Sequence, residues 1–324
     1  MKFYFLLFVY LFGLVYSVDN YFGTLQQELY QEATGKDRVY YIAIDEVIWN
    51  YDSNKSTRYY KAVYNEYTDN SYKQKKQKFL WQGHMGPILR AEVGDTIHVH
   101  LWNRANYPFT LHPHGVFYEF EMEGAVFKDG FEHAAVAPNK TYSYVWKALP
   151  RAGPGPNDGN SIVWGYHSHV SENDIYAGLY GAILIYRPGT LSDKEIVTSF
   201  YVADENQSPY LTRTLSELTS QKMKPKDHRI PCINGLATAS PKDLVIKADT
   251  IWHLIGWGTF VDDHNIRWEN GEVERYNELI GSIRLFPASF YTITYRPTQA
   301  GIDVVGDLDR DSTMRMRFYV VLDQ

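Results

Sequence analysis

Apolar residues in this chain come in short runs rather than at helical spacing. Residues 96–102 alternate, with Ile97, Val99 and Leu101 on one side and Thr96, His98, His100 and Trp102 on the other, the period of a strand with one buried face. Residues 39–44 read as an earlier strand, and runs at 141–146, 162–166, 181–186, 197–202, 290–295 and 317–322 repeat the theme. Gly, Pro, Asn and Asp punctuate the intervals. Many short strands parted by turn residues predict sandwiches or barrels. Segment 187–193, with its Pro188-Gly189 break, is the best linker. The chain therefore reads as two all-β domains, residues 18–189 and 190–324, each of ordinary domain size.

The N-terminus breaks this rhythm. Lys2 precedes a nearly unbroken apolar run from Phe3 to Tyr16, and small, polar Ser17 follows. A charged start, a short apolar stretch and a small-residue exit mark a secretory signal peptide, residues 1–17. The run is too short for a comfortable membrane span, and no other stretch approaches the length needed. The expectation is a secreted, extracellular protein without a membrane span. Asn54, Asn139 and Asn206 each open an Asn-x-Ser/Thr tripeptide, the acceptor pattern for glycosylation; Pro209 weakens the third.

Composition narrows the function. Of 324 residues, 44% are hydrophobic and 22% charged, which is globular, and the aromatic share of 16%, led by 27 Tyr, suits strands. A formal charge of −6 excludes a general nucleic-acid binder, which carries a basic footprint. The basic run at 73–78 reads as a solvated loop. A single cysteine, Cys232, rules out an intrachain disulfide.

Eleven histidines include three His-x-His pairs: His98/His100, His112/His114 and His167/His169. In a strand, residues i and i+2 share a face, so each pair offers two imidazoles to one region. Imidazole suits copper, zinc, iron or nickel, and spacing alone names no metal. His98 and His100 fall on the polar side of an alternating strand, which is a solvent face. His112-Pro113-His114-Gly115 differs, because Pro113 removes a donor and Gly115 permits unusual backbone geometry. His167-Ser168-His169 ends a hydrophobic strand at its rim. Two unrelated surface pairs are the bland alternative.

The run Gly86-Pro87-Ile88-Leu89-Arg90-Ala91-Glu92-Val93-Gly94-Asp95, followed by His112-Pro113-His114-Gly115, resembles the multicopper oxidases. Glu123-Gly124-Ala125, Gly165-Tyr166-His167-Ser168-His169 and Ala177-Gly178-Leu179-Tyr180-Gly181 continue the pattern. Asp204-Glu205-Asn206-Gln207-Ser208 resembles the ceruloplasmin and hephaestin branch, which includes the A domains of coagulation factors five and eight. The resemblance implies two tandem cupredoxin domains, Greek-key β-sandwiches holding copper at one end. It implies His112 as a type 2 copper ligand and His114, His167 and His169 as type 3 ligands: half of an eight-histidine trinuclear site, with one or two copper ions.

The second half of this chain does not supply the other four ligands. After residue 170 only His228, His253 and His264 occur. His253 reads as a core or strand residue. His264 matches the histidine of a type 1 site, but the thiolate such a site needs is missing from the stretch Val304 to Arg310. Met314 and Met316 fall near the axial position. Cys232 precedes His264 and reads as a small buried residue. Where relatives carry paired aspartates for calcium, Glu132-His133-Ala134-Ala135 stands instead, so calcium is not expected, although Asp129 and Glu132 are there. The leading expectation is a secreted copper-binding protein in copper or iron handling, inactive as an isolated chain. The alternatives are a non-catalytic extracellular module like the coagulation-factor A domains, or a ferroxidase completed by a protein partner supplying the missing copper ligands.

Overall fold

A computed structural model describes residues 35–52, 55, 57–126, 135–218, 224–259, 262–307 and 314–322. The first half contributes β1 (Asp37–Trp49), β2 (Tyr59–Tyr67), β3 (Ile88–Glu92), β4 (Thr96–Asn103), β5 (His112–Pro113), β6 (Thr141–Lys147), β7 (Ser161–His167) and β8 (Tyr180–Tyr186). The second contributes β9 (Ile196–Asp204), β10 (Arg229–Ile233), β11 (Val245–Ile246), β12 (Thr250–Gly256), β13 (His264–Trp268) and β14 (Gly271–Arg275). It continues with β15 (Glu278–Leu279), β16 (Ile283–Leu285), β17 (Phe290–Pro297), β18 (Gly301–Asp307) and β19 (Arg315–Val320). Short helices at Asp174–Ala177 (α1) and Leu211–Glu217 (α2) lie between strands.

β1 to β8 form two four-stranded sheets, in the orders β2-β1-β4-β6 and β3-β8-β7-β5. The remaining strands form sheets ordered β10-β9-β12-β17-β14-β15 and β11-β19-β18-β13-β16. The second pair repeats the first. β10-β9-β12-β17 matches β2-β1-β4-β6, and β11-β19-β18-β13 matches β3-β8-β7-β5, with parallel pairing at the same places: β1 with β4 and β9 with β12, β3 with β8 and β11 with β19. The extra strands β14 to β16 enter between β13 and β17. In this correspondence β5 and β7, which carry His112 and His167, match β13 and β18, which carry His264 and Asp307.

The alternation read from residues 96–102 is the burial pattern of β4, whose Ile97, Val99 and Leu101 are fully buried. They pack with Ile42, Trp146, Tyr166, Ile183 and Ile185 into the first sandwich core. β8 and β9 are buried at every position, because both faces are covered. Ile183 and Ile185 of β8 point into the first core, while Ala182, Leu184 and Tyr186 join a second cluster with Val197, Phe200, Trp252 and Leu254. Such strands read as continuous apolar runs. The strand runs named from sequence all correspond to observed strands, with ends coinciding or moved by at most five residues. β2 was not among them, since Lys61 and Asn65 interrupt its pattern although both are buried.

Cys232 lies fully buried on β10, its thiol pushed up to about 12 by burial, which makes it chemically quiet. Lys73, Lys75 and Lys76 are exposed, and Lys76 pairs with Glu66 at 2.6 Å. Asn139 is exposed in a turn, whereas the Asn206 amide donates to Asp204 at 2.6 Å. Residues 1–34, Asn54, and the calcium candidates Asp129 and Glu132 lie outside the described residues. Among the described residues no helix is long and apolar enough to cross a membrane.

The two-faced burial of β8 is testable. Ile183→Ala and Leu184→Ala should each destabilise the protein by about 2–5 kcal/mol, as deletion of buried methyl groups does, measured by urea unfolding. A near-neutral Leu184→Ala would mean that this face is not packed in solution.

Candidate metal centre

The local backbone at the end of the first sandwich is built to gather imidazoles. β5 pairs with β7 so that His112 stands opposite His167. The chain then leaves the ladder, with the His114 N–H donating to the Gly165 carbonyl at 2.8 Å. Gly115 has φ +77°, and a Cβ there would lie 2.0 Å from the Trp164 ring; both the dihedral and the close approach require glycine. Past β7, the Ser168 hydroxyl donates to Asp174 at 2.5 Å and accepts the Thr110 N–H at 3.0 Å. The His169 N–H donates to the Thr110 hydroxyl at 2.8 Å. Asp174 opens α1 and also accepts the Val170 and Ser171 N–H groups, which fixes the turn carrying His169.

The structure brings the rings of His112, His114, His167 and His169 together. Centroids lie 5.2 Å apart for His112/His114, 5.6 Å for His112/His167, 5.1 Å for His112/His169, 5.2 Å for His114/His167 and 5.4 Å for His167/His169. Ligand atoms of His112, His114 and His167 all lie within 4.8 Å of one another. His112 Nδ1 donates to the Glu123 carbonyl at 2.7 Å, and His167 Nδ1 to the Ser168 carbonyl at 2.8 Å. Each bond fixes the tautomer and leaves the Nε2 lone pair on the inner side. His114 Nε2 and His167 Nε2 are 3.1 Å apart.

Burial, with the neighbouring imidazoles adding to it, pulls His114 down to about 4 and His167 to about 3. His112 is lowered by the same burial, partly offset by the Glu123 carbonyl. These rings are neutral at physiological pH, the protonation state that ligates metals. The donor set is nitrogen only, which fits copper, zinc, iron or nickel and gives no thiolate.

The second sandwich closes one side. Trp257 lies 5.5 Å from the His167 ring and 6.4 Å from His114, and Phe290 5.6 Å from His114. A Cβ on Gly165 would lie 2.4 Å from Trp257 and 2.8 Å from Phe290, so this glycine admits both. Sequence reading did not find this aromatic wall, since nothing local links these residues to the histidine pairs.

The other histidines are elsewhere. His98 faces solvent beside Asp37 at 3.0 Å, and His100 contacts the Ser143 hydroxyl and stacks on Tyr41. His253 is buried on β12 against Thr292. His264 occupies the end of the second sandwich that corresponds to the cluster. Its Nδ1 is 2.7 Å from Asp307, and Nε2 stands 3.4 Å from Asp262. All three side chains are fully buried. The second contact attracts by charge without hydrogen-bond geometry. Met314 and Met316 are core residues.

A first sandwich that gathers four imidazole rings at one end and a second sandwich that repeats its topology define a multicopper-oxidase type of protein. Residues 62–190 match the family model described as multicopper oxidase. The chain is 34% identical over 306 residues to mouse (Mus musculus) "Ferroxidase HEPHL1", covering 79% of this chain and 26% of that protein. It is 32% identical over 306 residues to human (Homo sapiens) ceruloplasmin, covering 80% and 29%. It is 33% identical over 298 residues to coagulation factor V of Pseudonaja textilis, covering 82% and 20%. The solved structure of a multicopper oxidase, mgLAC, superposes with a TM-score of 0.62 at 14% identity, covering 88% of this chain and 86% of that one, which shows the shared cupredoxin fold. The chain belongs to the ceruloplasmin/hephaestin-like family, a copper-binding one. It spans under a third of the length of these curated relatives.

The His264 environment gives a pH prediction. Burial pulls its pKa down, but Asp262 and Asp307 outweigh that and raise it above the ordinary 6.5. A pKa raised on folding contributes stability that is complete below 6.5 and is lost as pH rises through the folded value. Unfolding midpoints should fall as pH climbs above about 6.5. Asp307→Asn should remove most of that slope and cost about 3–5 kcal/mol, the effect of breaking a buried pair. An unchanged slope in the variant would assign the pH dependence to other groups.

Proposed function

We propose that this is a secreted copper-binding protein that holds one or two copper ions with His112, His114, His167 and His169, in copper or iron handling. The observation that carries the reading is the gathering of four buried or half-buried imidazoles, with the Nε2 atoms of His114 and His167 3.1 Å apart and Nδ1 of His112 and His167 tied to carbonyls. Copper held there would supply one-electron redox chemistry. The Glu123 and Ser168 carbonyls orient two of the rings, while Trp257 and Phe290 restrict solvent on the side of the second sandwich. On this reading residues 18–189 form the copper-binding domain. Residues 190–324 form a second domain in which the His264–Asp307 pair takes the place of a metal.

Oxidase turnover needs a thiolate electron-entry site and four further imidazole ligands from the second half, where only His228, His253 and His264 occur and residues 304–310 hold no cysteine or histidine. The isolated chain therefore oxidises no iron, and a ferroxidase would require ligands from a separate protein partner. The similarity to a coagulation factor favours a second reading, a non-catalytic extracellular module in which the histidines are only structural.

Metal analysis separates the two. The purified protein, loaded with copper and dialysed, should retain one or two equivalents without intense blue absorption. Retention should be lost in His112→Ala/His167→Ala, because each pair then keeps one ligand. No stoichiometric copper in the unmodified protein would favour the module reading. Strong blue-copper absorption would contradict both.

A further inference from the structure

The two sandwiches meet through one face of each, and the repeat leaves a counterpart of each face open. Inside the chain, β7 of the first sandwich packs on β12 and β17 of the second. The first sandwich presents Val163, Leu184 and Tyr186 to this contact, with Val163 opposite Leu184 across β7 and β8. The second presents Val197, His253 and Thr292, aligned across β9, β12 and β17. His253 is fully buried there, with its Nε2 3.5 Å from the Ser161 hydroxyl of β7.

Each of these surfaces occurs a second time. β1, β4 and β6 correspond to β9, β12 and β17, while β19 and β18 correspond to β8 and β7. On the first set, Val39, His98 and Val145 align across the three strands, on the side away from the core residues Ile97 and Trp146. His100 meets the Ser143 hydroxyl across β4 and β6 at 2.8 Å, just as His253 meets the Thr292 hydroxyl across β12 and β17 at 2.9 Å. On the second set, Val245, Tyr319 and Ile302 align across β11, β19 and β18, away from the core residues Met316 and Phe318. Val39 is 45% exposed and Ile302 58%, and Val145, Val245 and Tyr319 are exposed as well. Tyr72 covers only the Tyr41 and Trp102 end of the first face. Aligned apolar side chains left in water mark a protein contact. The rims also carry opposite charges, Asp37 two residues from Val39 and Arg317 two residues from Tyr319, both exposed, which favours one face meeting the other over either meeting itself.

We propose that this chain associates head to tail with further copies of itself, the β18–β19 face of one copy seating on the β1–β4–β6 face of the next. A second copy is the occupant because each open face repeats one half of an interface that this sequence already makes. The open faces belong to the two outermost of four stacked sheets, so a single chain cannot bring them together. Such a contact is heterologous, and it repeats from copy to copy until a ring closes.

The test is sedimentation velocity of the metal-free full chain from about 1 to 100 µM, the range of moderate to weak association. Concentration-dependent assembly is expected. Val39→Glu and Tyr319→Glu each place a carboxylate on one exposed face, where folding tolerates substitution, and each should weaken association about tenfold or more by burying an unpaired charge in the contact. Mixed in equal amounts, the two variants should form a one-to-one complex, because Val39→Glu keeps the β18–β19 face and Tyr319→Glu keeps the β1–β4–β6 face. Where either variant does not fold, Val145→Glu or Ile302→Glu carries the same comparison. An unmodified chain that stays monomeric throughout would overturn the proposal. So would assembly that survives both changes, assembly lost in only one variant, which means a face pairing with itself, or a mixture that stays monomeric. No arm involves copper, so the result is independent of the four-histidine reading.

Discussion

His112, His114 and His167 share one small volume only while they are neutral, and that constraint organises this end of the molecule. Each added proton would place a like charge about 5 Å from its neighbours in a poorly hydrated site. Burial keeps His114 and His167 unprotonated at physiological pH. The same burial demands that their polar atoms be satisfied. Backbone carbonyls of Glu123 and Ser168 take the Nδ1 protons of His112 and His167, so the remaining lone pairs converge. The local scaffold follows from this demand: Gly115 for the turn, Gly165 for clearance, and Thr110, Ser168 and Asp174 to hold the strand end.

The two sandwiches share one topology but solve the same position differently. At the first, β5 and β7 deliver neutral imidazoles suited to a metal. At the second, β13 and β18 deliver His264 and Asp307 with Asp262 close by, and the pair neutralises itself. A buried imidazole between carboxylates favours the protonated form, the opposite of the first site. One fold thus carries a cluster of imidazoles with lowered pKa at one end and, at the matching position, an imidazole whose pKa is raised by two carboxylates.

The four-histidine site was legible because its information is local. Within each pair the signal is local, His112-x-His114 beside Pro113 and Gly115 and His167-x-His169 at a strand rim, while the two pairs stand 53 residues apart. The strands were legible for the same reason, since alternation at 96–102 and apolar runs at 181–186 and 197–202 report burial on one face or two. What the sequence hid is long-range. Trp257 and Phe290 reach the cluster only because the sandwiches pack through β7, β8 and β9. The partner of His264 is Asp307, 43 residues away. β2 was hidden because Lys61 reads as a surface residue, although it is fully buried and paired with Glu205 at 2.5 Å.

The central claim is that imidazole nitrogens of this chain, and no sulfur, hold copper. X-ray absorption at the copper edge of the copper-loaded protein tests it most directly. The account predicts a first shell of nitrogen and oxygen scatterers with the multiple-scattering signature of imidazole, absent from the His112→Ala/His167→Ala variant. A sulfur scatterer in the first shell, or an imidazole signature unchanged in that variant, would contradict it.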